Sequence, residues 1–247
     1  MKHFRLSKVW IPNSLTMGNL LFGFIAIVNA SQEQYVGAGI CILFAALLDG
    51  FDGQIARMLH VTSKIGEQLD SLADCVAFGI APGYLAYSAY LSHVSFSLNG
   101  TTHHIPVGMF IAAAFPLCAA YRLARFNVSH DSDSFSGLPS PIAGIVMALV
   151  PIAFSDPGDI RSHLLIFVPA FIAVALLMVS TVKFSKPQAK ARNKIHGLKL
   201  VLLIVLIVLL SIILRKWLIF ISIGLILIYI FTGLYSFLIQ FIQDRRY

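Results

Sequence analysis

The chain has 247 residues, a formal net charge of +7 and three cysteines. It is 58% hydrophobic and only 12% charged, with a mean hydropathy of +0.84; an ordinary soluble surface carries about twice that charge. A water-soluble domain is therefore excluded, and Cys41, Cys75 and Cys118, far apart and without CxxC spacing, make neither a disulfide framework nor a zinc site.

A bilayer span takes about 20 mostly apolar residues at 1.5 Å rise each. Runs of that kind place eight helical spans, at 15–31, 35–59, 67–91, 106–128, 140–155, 163–182, 198–214 and 217–239. The expected fold is all-α: a polytopic membrane helical bundle with a six-span core plus two additional C-terminal spans. Three parts are expected: a core over 1–182, a basic loop over 183–199, and the last two spans with a short tail over 200–247.

In the first run, the basic MKHFRLSK and the VNA that follows also suit a secretory leader. Pro12, Asn13, Thr16 and Asn19 form a polar entry that a disposable leader does not need, so the run is read as a span. The second span ends, and the third begins, in DGFDGQIARMLHVTSKIGEQLDSLAD, which holds four of the nine aspartates. Asp49, Asp52, Gly53 and Ala56 fall at i, i+3, i+4 and i+7 on one helical face. Gly66, Asp70 and Asp74 fall at i, i+4 and i+8 on another. A short connection makes the two helices antiparallel neighbours, so the four carboxylates converge.

The loop SHVSFSLNGTTHH holds three histidines and an Asn99 sequon; His103 and His104 are adjacent, point different ways and read as solvated. The fourth span carries Arg122, Arg125 and Asn127 at its end, and Gly137, Pro139 and Pro141 shape the loop that follows. The segment KFSKPQAKARNKIHGLK at 183–199 is basic and suited to anionic lipid. With the N-terminus inside, fifteen of the 18 Lys and Arg residues lie on inner segments and three on outer ones. The basic balance is thus mostly topology, and no nucleic-acid partner is needed.

Four unpaired carboxylates at a membrane rim repel one another and are expensive to bury. Divalent cations relieve both penalties, and an all-oxygen ligand set suits magnesium, manganese or calcium. Two ions sharing such a cluster are the device that phosphoryl transfer uses to hold attacking and leaving oxygens. Gly53 and Ala56 leave room for a bulky group beside the backbone, and Arg57, one turn inward, suits a phosphate.

The pattern D49-x2-D52-G53-x2-A56-R57-x8-G66-x3-D70-x3-D74 resembles, without a departure, the signature of the CDP-alcohol phosphotransferases. The resemblance implies that Asp49, Asp52, Asp70 and Asp74 bind two divalent ions, magnesium or manganese, that hold the pyrophosphate of a CDP-linked donor. It implies that Asp74 takes the proton from the acceptor alcohol and that Gly53, Ala56, Arg57 and Gly66 lie along the donor, with CMP as a product. A homodimer is implied in the same way. PNSLTMGNLLFGFIAI, DSLADCVAFGIAPG and YRLARFNV followed by SGLPSPIAG resemble the bacterial and archaeal phosphatidylserine synthases of this family. That likeness covers roughly 12–182 and implies CDP-diacylglycerol as donor and L-serine as acceptor, in the cytoplasmic membrane with the N-terminus and active site on the cytosolic side.

Within this reading Thr16 and Asn19 either face the nucleotide or make interhelical hydrogen bonds. Arg122 and Arg125 are either anchors or grip an anion, serine's carboxylate or the donor phosphate, and Asn127 orients the amino acid. The alternatives are another acceptor, such as glycerol 3-phosphate or inositol phosphate, or a divalent cation transporter. The transporter requires carboxylates spread across the membrane's depth.

Overall fold

The computed structural model describes residues 2–59, 61, 63–97, 104–128, 135–154, 156–181, 183, 184, 224 and 228. The described chain is helical apart from two clips, in which the two-residue strands Phe96–Ser97 and His104–Ile105, and Phe135–Ser136 and Lys183–Phe184, pair antiparallel. Helix α1 (Lys2–Ser31) turns through Glu33, at φ 62°, into α2 (Tyr35–Met58). After a short connection comes α3 (Lys64–Cys75). It runs without a break through a π-helical segment, Val76–Ile80, into α4 (Ala81–Ala86) and a second π segment, Tyr87–Leu91. The residues at these joints keep right-handed helical backbone, so 64–91 is one rod. Then follow α5 (Val107–Val128), α6 (Ser140–Ala153), α7 (Pro157–Ser162) and α8 (Leu164–Val179).

Five of the six expected core spans coincide with α1, α2, α5, α6 and α8, and the third with the rod. Trp10–Ser31, Tyr35–Ala56 and Val107–Val128 are each 22 residues long and apolar enough to cross a bilayer, reaching about 33 Å against a hydrocarbon layer of about 30 Å. α6 and α8 are shorter apolar helices. The seventh and eighth expected spans, the basic loop, the sequon and His103 lie outside the described residues, apart from Lys183, Phe184 and the helical positions 224 and 228. α7 was not expected. Its signal is local: Asp156 accepts a hydrogen bond from the Gly158 amide at 2.8 Å, and Pro157 opens the helix where a missing N–H is harmless.

Lipid gives helices no hydrophobic reason to associate, so close contact between small side chains must hold them together. The cluster joining α1, α2, the rod and α6 follows that rule: Ala26, Ala30, Ala38, Ala45, Ala77, Ala81 and Ala148 are buried there around Phe78, Ile42 and Leu149. A side chain on Gly23 would strike the Ala77 backbone at 2.8 Å, and one on Gly144 would strike Phe78 at 2.9 Å. A second cluster of larger residues fills the space between the rod, α5, α6 and α8. In it Phe167 meets Tyr90 edge-on, with ring centroids 5.0 Å apart, and Phe115 packs on Phe171 at 5.2 Å. Large apolar side chains also cover the outside, among them Trp10, Leu21, Phe24, Phe110, Leu117 and Leu165. A surface of that kind belongs in lipid.

Candidate active site

Two elements carry the acids and a third holds them in place. Ser63 caps α3, its hydroxyl accepting from the Gly66 amide at 2.9 Å, which fixes where the helix starts and therefore where Asp70 and Asp74 face. A Cβ on Gly66 would stand 3.0 Å from both Asn13 Oδ1 and Ser63 Oγ, so this glycine also lets α1 approach the cap.

Asp49 of α2 and Asp70 and Asp74 of α3 each offer an oxygen, and the three oxygens lie within 4.8 Å of one another. Asp49 and Asp74 thus face each other across the two helices, a meeting of like charges that a cation between them relieves. Asp52 is electrostatically linked to Asp49 and Asp70 but stands outside the triad. It is buried, and its Oδ2 accepts from the Thr16 hydroxyl at 2.7 Å. The convergence read from helical spacing is therefore present for three carboxylates, with the fourth beside them.

α1 supplies the partners. Thr16 reaches Asp52 on α2, and Asn19, one turn on, donates from Nδ2 to Asp74 Oδ1 at 3.2 Å on α3. Both residues are buried, and both side chains make interhelical hydrogen bonds.

Arg122 of α5 is 8% exposed and donates to Ser140 Oγ at 2.7 Å, at the first residue of α6. Its charge acts on Asp74 and Asp49. Arg125, one turn later, donates to the carbonyl oxygens of Val179 at 2.9 Å and Ser180 at 3.3 Å. A guanidinium there satisfies the open end of α8 and opposes its dipole. Asn127 is paired with Ser71 of α3, its Nδ2 donating to Ser71 Oγ at 3.0 Å. Gly53 and Ala56 are half-buried on α2 beyond Asp52; the Arg57 side chain lies outside the described residues.

Sequence reasoning missed Ser63, Ser71 and Ser140. Ser63 carries the ordinary cap signal ahead of a helix. Ser71 and Ser140 find partners 56 and 18 residues away, and no local pattern announces such a contact.

The donor set fits a hard divalent cation. Oxygens bound to one such ion at about 2.0–2.6 Å cannot stand more than about 5 Å apart, and the triad meets that limit. Carboxylates alone, without thiol or imidazole, favour magnesium, manganese or calcium over zinc.

Comparison with known proteins agrees with this chemistry. The CDP-alcohol phosphatidyltransferase family matches residues 9–182. Similar curated proteins, each named CDP-diacylglycerol–serine O-phosphatidyltransferase, come from distant organisms. The Helicobacter pylori (strain 26695) protein is 34% identical over 182 residues, covering 70% of each chain. The Bacillus subtilis protein is 31% identical over 189 residues, 76% of this chain and 97% of its own. The Methanocaldococcus jannaschii protein is 34% identical over 197 residues, 80% of this chain and 84% of its own. With the acidic motif, its helical setting and a match that spans most of the chain, the protein belongs to the CDP-alcohol phosphatidyltransferase family.

Proposed function

We propose that the chain transfers the phosphatidyl group of CDP-diacylglycerol to the hydroxyl of L-serine, giving phosphatidylserine and CMP, at the cytosolic face of the membrane. The observation that carries this reading is the triad of Asp49, Asp70 and Asp74 inside a chain whose curated relatives bear the synthase name. The serine oxygen attacks the phosphorus that carries the diacylglycerol, the bond from that phosphorus to the CMP oxygen breaks, and the hydroxyl proton passes to a carboxylate. Asp74 suits that last task, because Asn19 donates a hydrogen bond that orients it and the charge of Arg122 acts on it. Arg122, Arg125 or both would supply the cation for an anion, serine's carboxylate or the donor phosphate. Asp52, held by Thr16, completes the acidic set together with Asp49 and Asp70.

Asp49, Asp52, Asp70 and Asp74 would hold two divalent ions, magnesium or manganese, which when bound neutralise charge on the pyrophosphate as CMP leaves. Gly53, Ala56, Arg57 and Gly66 would line the donor, whose acyl chains stay in the bilayer. The eight-span count, the core over 1–182, the cytosolic N-terminus and a homodimer belong to the same proposal. A cation transporter fits less well: a path needs acids at several depths, whereas oxygens of three of these acids lie within 4.8 Å of one another.

Purified protein given CDP-diacylglycerol, magnesium or manganese, and labelled serine is expected to make labelled phosphatidylserine and CMP. CMP release with glycerol 3-phosphate or inositol phosphate, but not serine, rejects the acceptor. The absence of CMP with every alcohol rejects the chemistry, and metal flux into liposomes without CMP would point to transport.

A further inference from the structure

Asn19 is fully buried, and its two amide atoms are treated differently. Nδ2 donates to Asp74 Oδ1, whereas Oδ1 has no hydrogen-bond partner. The two ends are not interchangeable. A flipped amide would set oxygen against oxygen, so the carboxylate of Asp74 decides which atom is left over. Buried polar atoms are nearly always paired, and an exception calls for an explanation. The other exception among the described residues is the Tyr90 hydroxyl, which lies in the large apolar cluster against Phe167.

The Asn19 oxygen shares its carbon with the nitrogen that touches the proposed base. It therefore offers an acceptor beside the place where an alcohol gives up its proton. Arg122 offers a cation to the same neighbourhood. An amino-acid alcohol brings three groups: a hydroxyl for Asp74, a carboxylate for Arg122, and an ammonium with N–H donors still to place. We infer that Asn19 Oδ1 accepts a hydrogen bond from the ammonium of the acceptor substrate. Asn19 then selects an amino alcohol over a plain hydroxy acid. This rests on the reading of serine as acceptor.

The experiment compares L-serine with 3-hydroxypropionate, which lacks the ammonium, by CMP release from CDP-diacylglycerol with manganese. Asn19→Ala is expected to shrink the kcat/KM preference for serine by about tenfold or more, chiefly through a higher KM for serine. Asn19→Asp keeps an oxygen but loses the donor to Asp74, so it should retain the preference and lose kcat. An asparagine with a merely structural role slows both acceptors alike. A preference within about twofold of wild type in Asn19→Ala therefore overturns the inference. Should that variant not fold, loss of the preference in Asn19→Asp overturns it equally. So do equal rises in the wild-type melting temperature with the two acceptors. Wild-type protein that never uses serine sinks the proposed reaction and this inference together; phosphatidylserine synthesis with an unmoved preference sinks the inference alone.

Discussion

At the scale of single residues, the four aspartates have unequal surroundings, and unequal losses follow. Asp74 lies across from Asp49, accepts from Asn19 and feels the charge of Arg122. If it is the base, Asp74→Asn should lower kcat by about 10²–10⁴ while donor binding stays largely intact, because Asp49, Asp52 and Asp70 remain. Asp49→Asn and Asp52→Asn should weaken manganese and donor binding as well, measured by titration with manganese and with CDP. Equal loss of binding in all three variants contradicts this division. Thr16→Val removes a hydroxyl that also lies 3.1 Å from the Pro12 carbonyl oxygen, and it leaves buried Asp52 without its 2.7 Å donor, a loss of about 1–3 kcal/mol. Manganese affinity should fall about tenfold, and titration of the purified variant reads it directly. The aspartates were legible in the sequence because helical spacing alone puts them on converging faces. Which atom each of them meets was not, since Thr16, Asn19 and Arg122 come from other helices and their reach depends on how those helices pack.

At the scale of elements, α1 acts as a template. Asn13, Thr16 and Asn19 recur every third residue, and Gly23 continues the stripe one turn further. The first three meet the α3 cap region, Asp52 and Asp74 in turn, and Gly23 rests on the backbone of Ala77 in the first π segment. A leucine at 23 cannot be relieved by rotating a neighbour, because the obstacle is main chain at 2.8 Å. Gly23→Leu should therefore destabilise the fold by about 1–3 kcal/mol. It should also lower CMP release by more than the folded fraction explains, because pushing α1 away separates Asn19 from Asp74. A thermal melt in detergent and the CMP assay on the same sample check both; full specific activity in the folded fraction would count against the template. Hydropathy revealed α1, α2, α5, α6 and α8 because their apolar runs approach or exceed a bilayer's width. The π segments were invisible to it, since VAFGI and YSAYL carry no residue type that only a π turn accepts. The turn before α6 was only half legible: Gly137 was read as a shaping residue, but its φ of 88° and its approach to the Met178 carbonyl depend on where α8 ends.

At the scale of the whole molecule, the described site is assembled from the part of the chain ahead of α7. Thr16 and Asn19 come from α1, Asp49 and Asp52 from α2, Asp70 and Asp74 from α3, Arg122 from α5 and its partner Ser140 from α6. α8 enters by closing the bundle, through Arg125 on its last carbonyls and through Phe167 and Phe171 in the larger core cluster. The family match ends at 182, just where that closure is complete. Residues 200–239 are almost entirely apolar and bring the site chemistry no carboxylate. A chain ended after residue 184, which keeps both strands of the second clip, should therefore retain CMP release within about tenfold of the full protein. The comparison is made in lipid vesicles, at matched amounts of folded enzyme, with melting temperature as the separate readout of stability. A lower melting temperature with turnover kept would assign the last segment to support of the bundle. Turnover lost from a shortened chain that still melts cooperatively at the full-length temperature would mean that residues beyond 184 enter the reaction, and the 1–182 core would have to be redrawn.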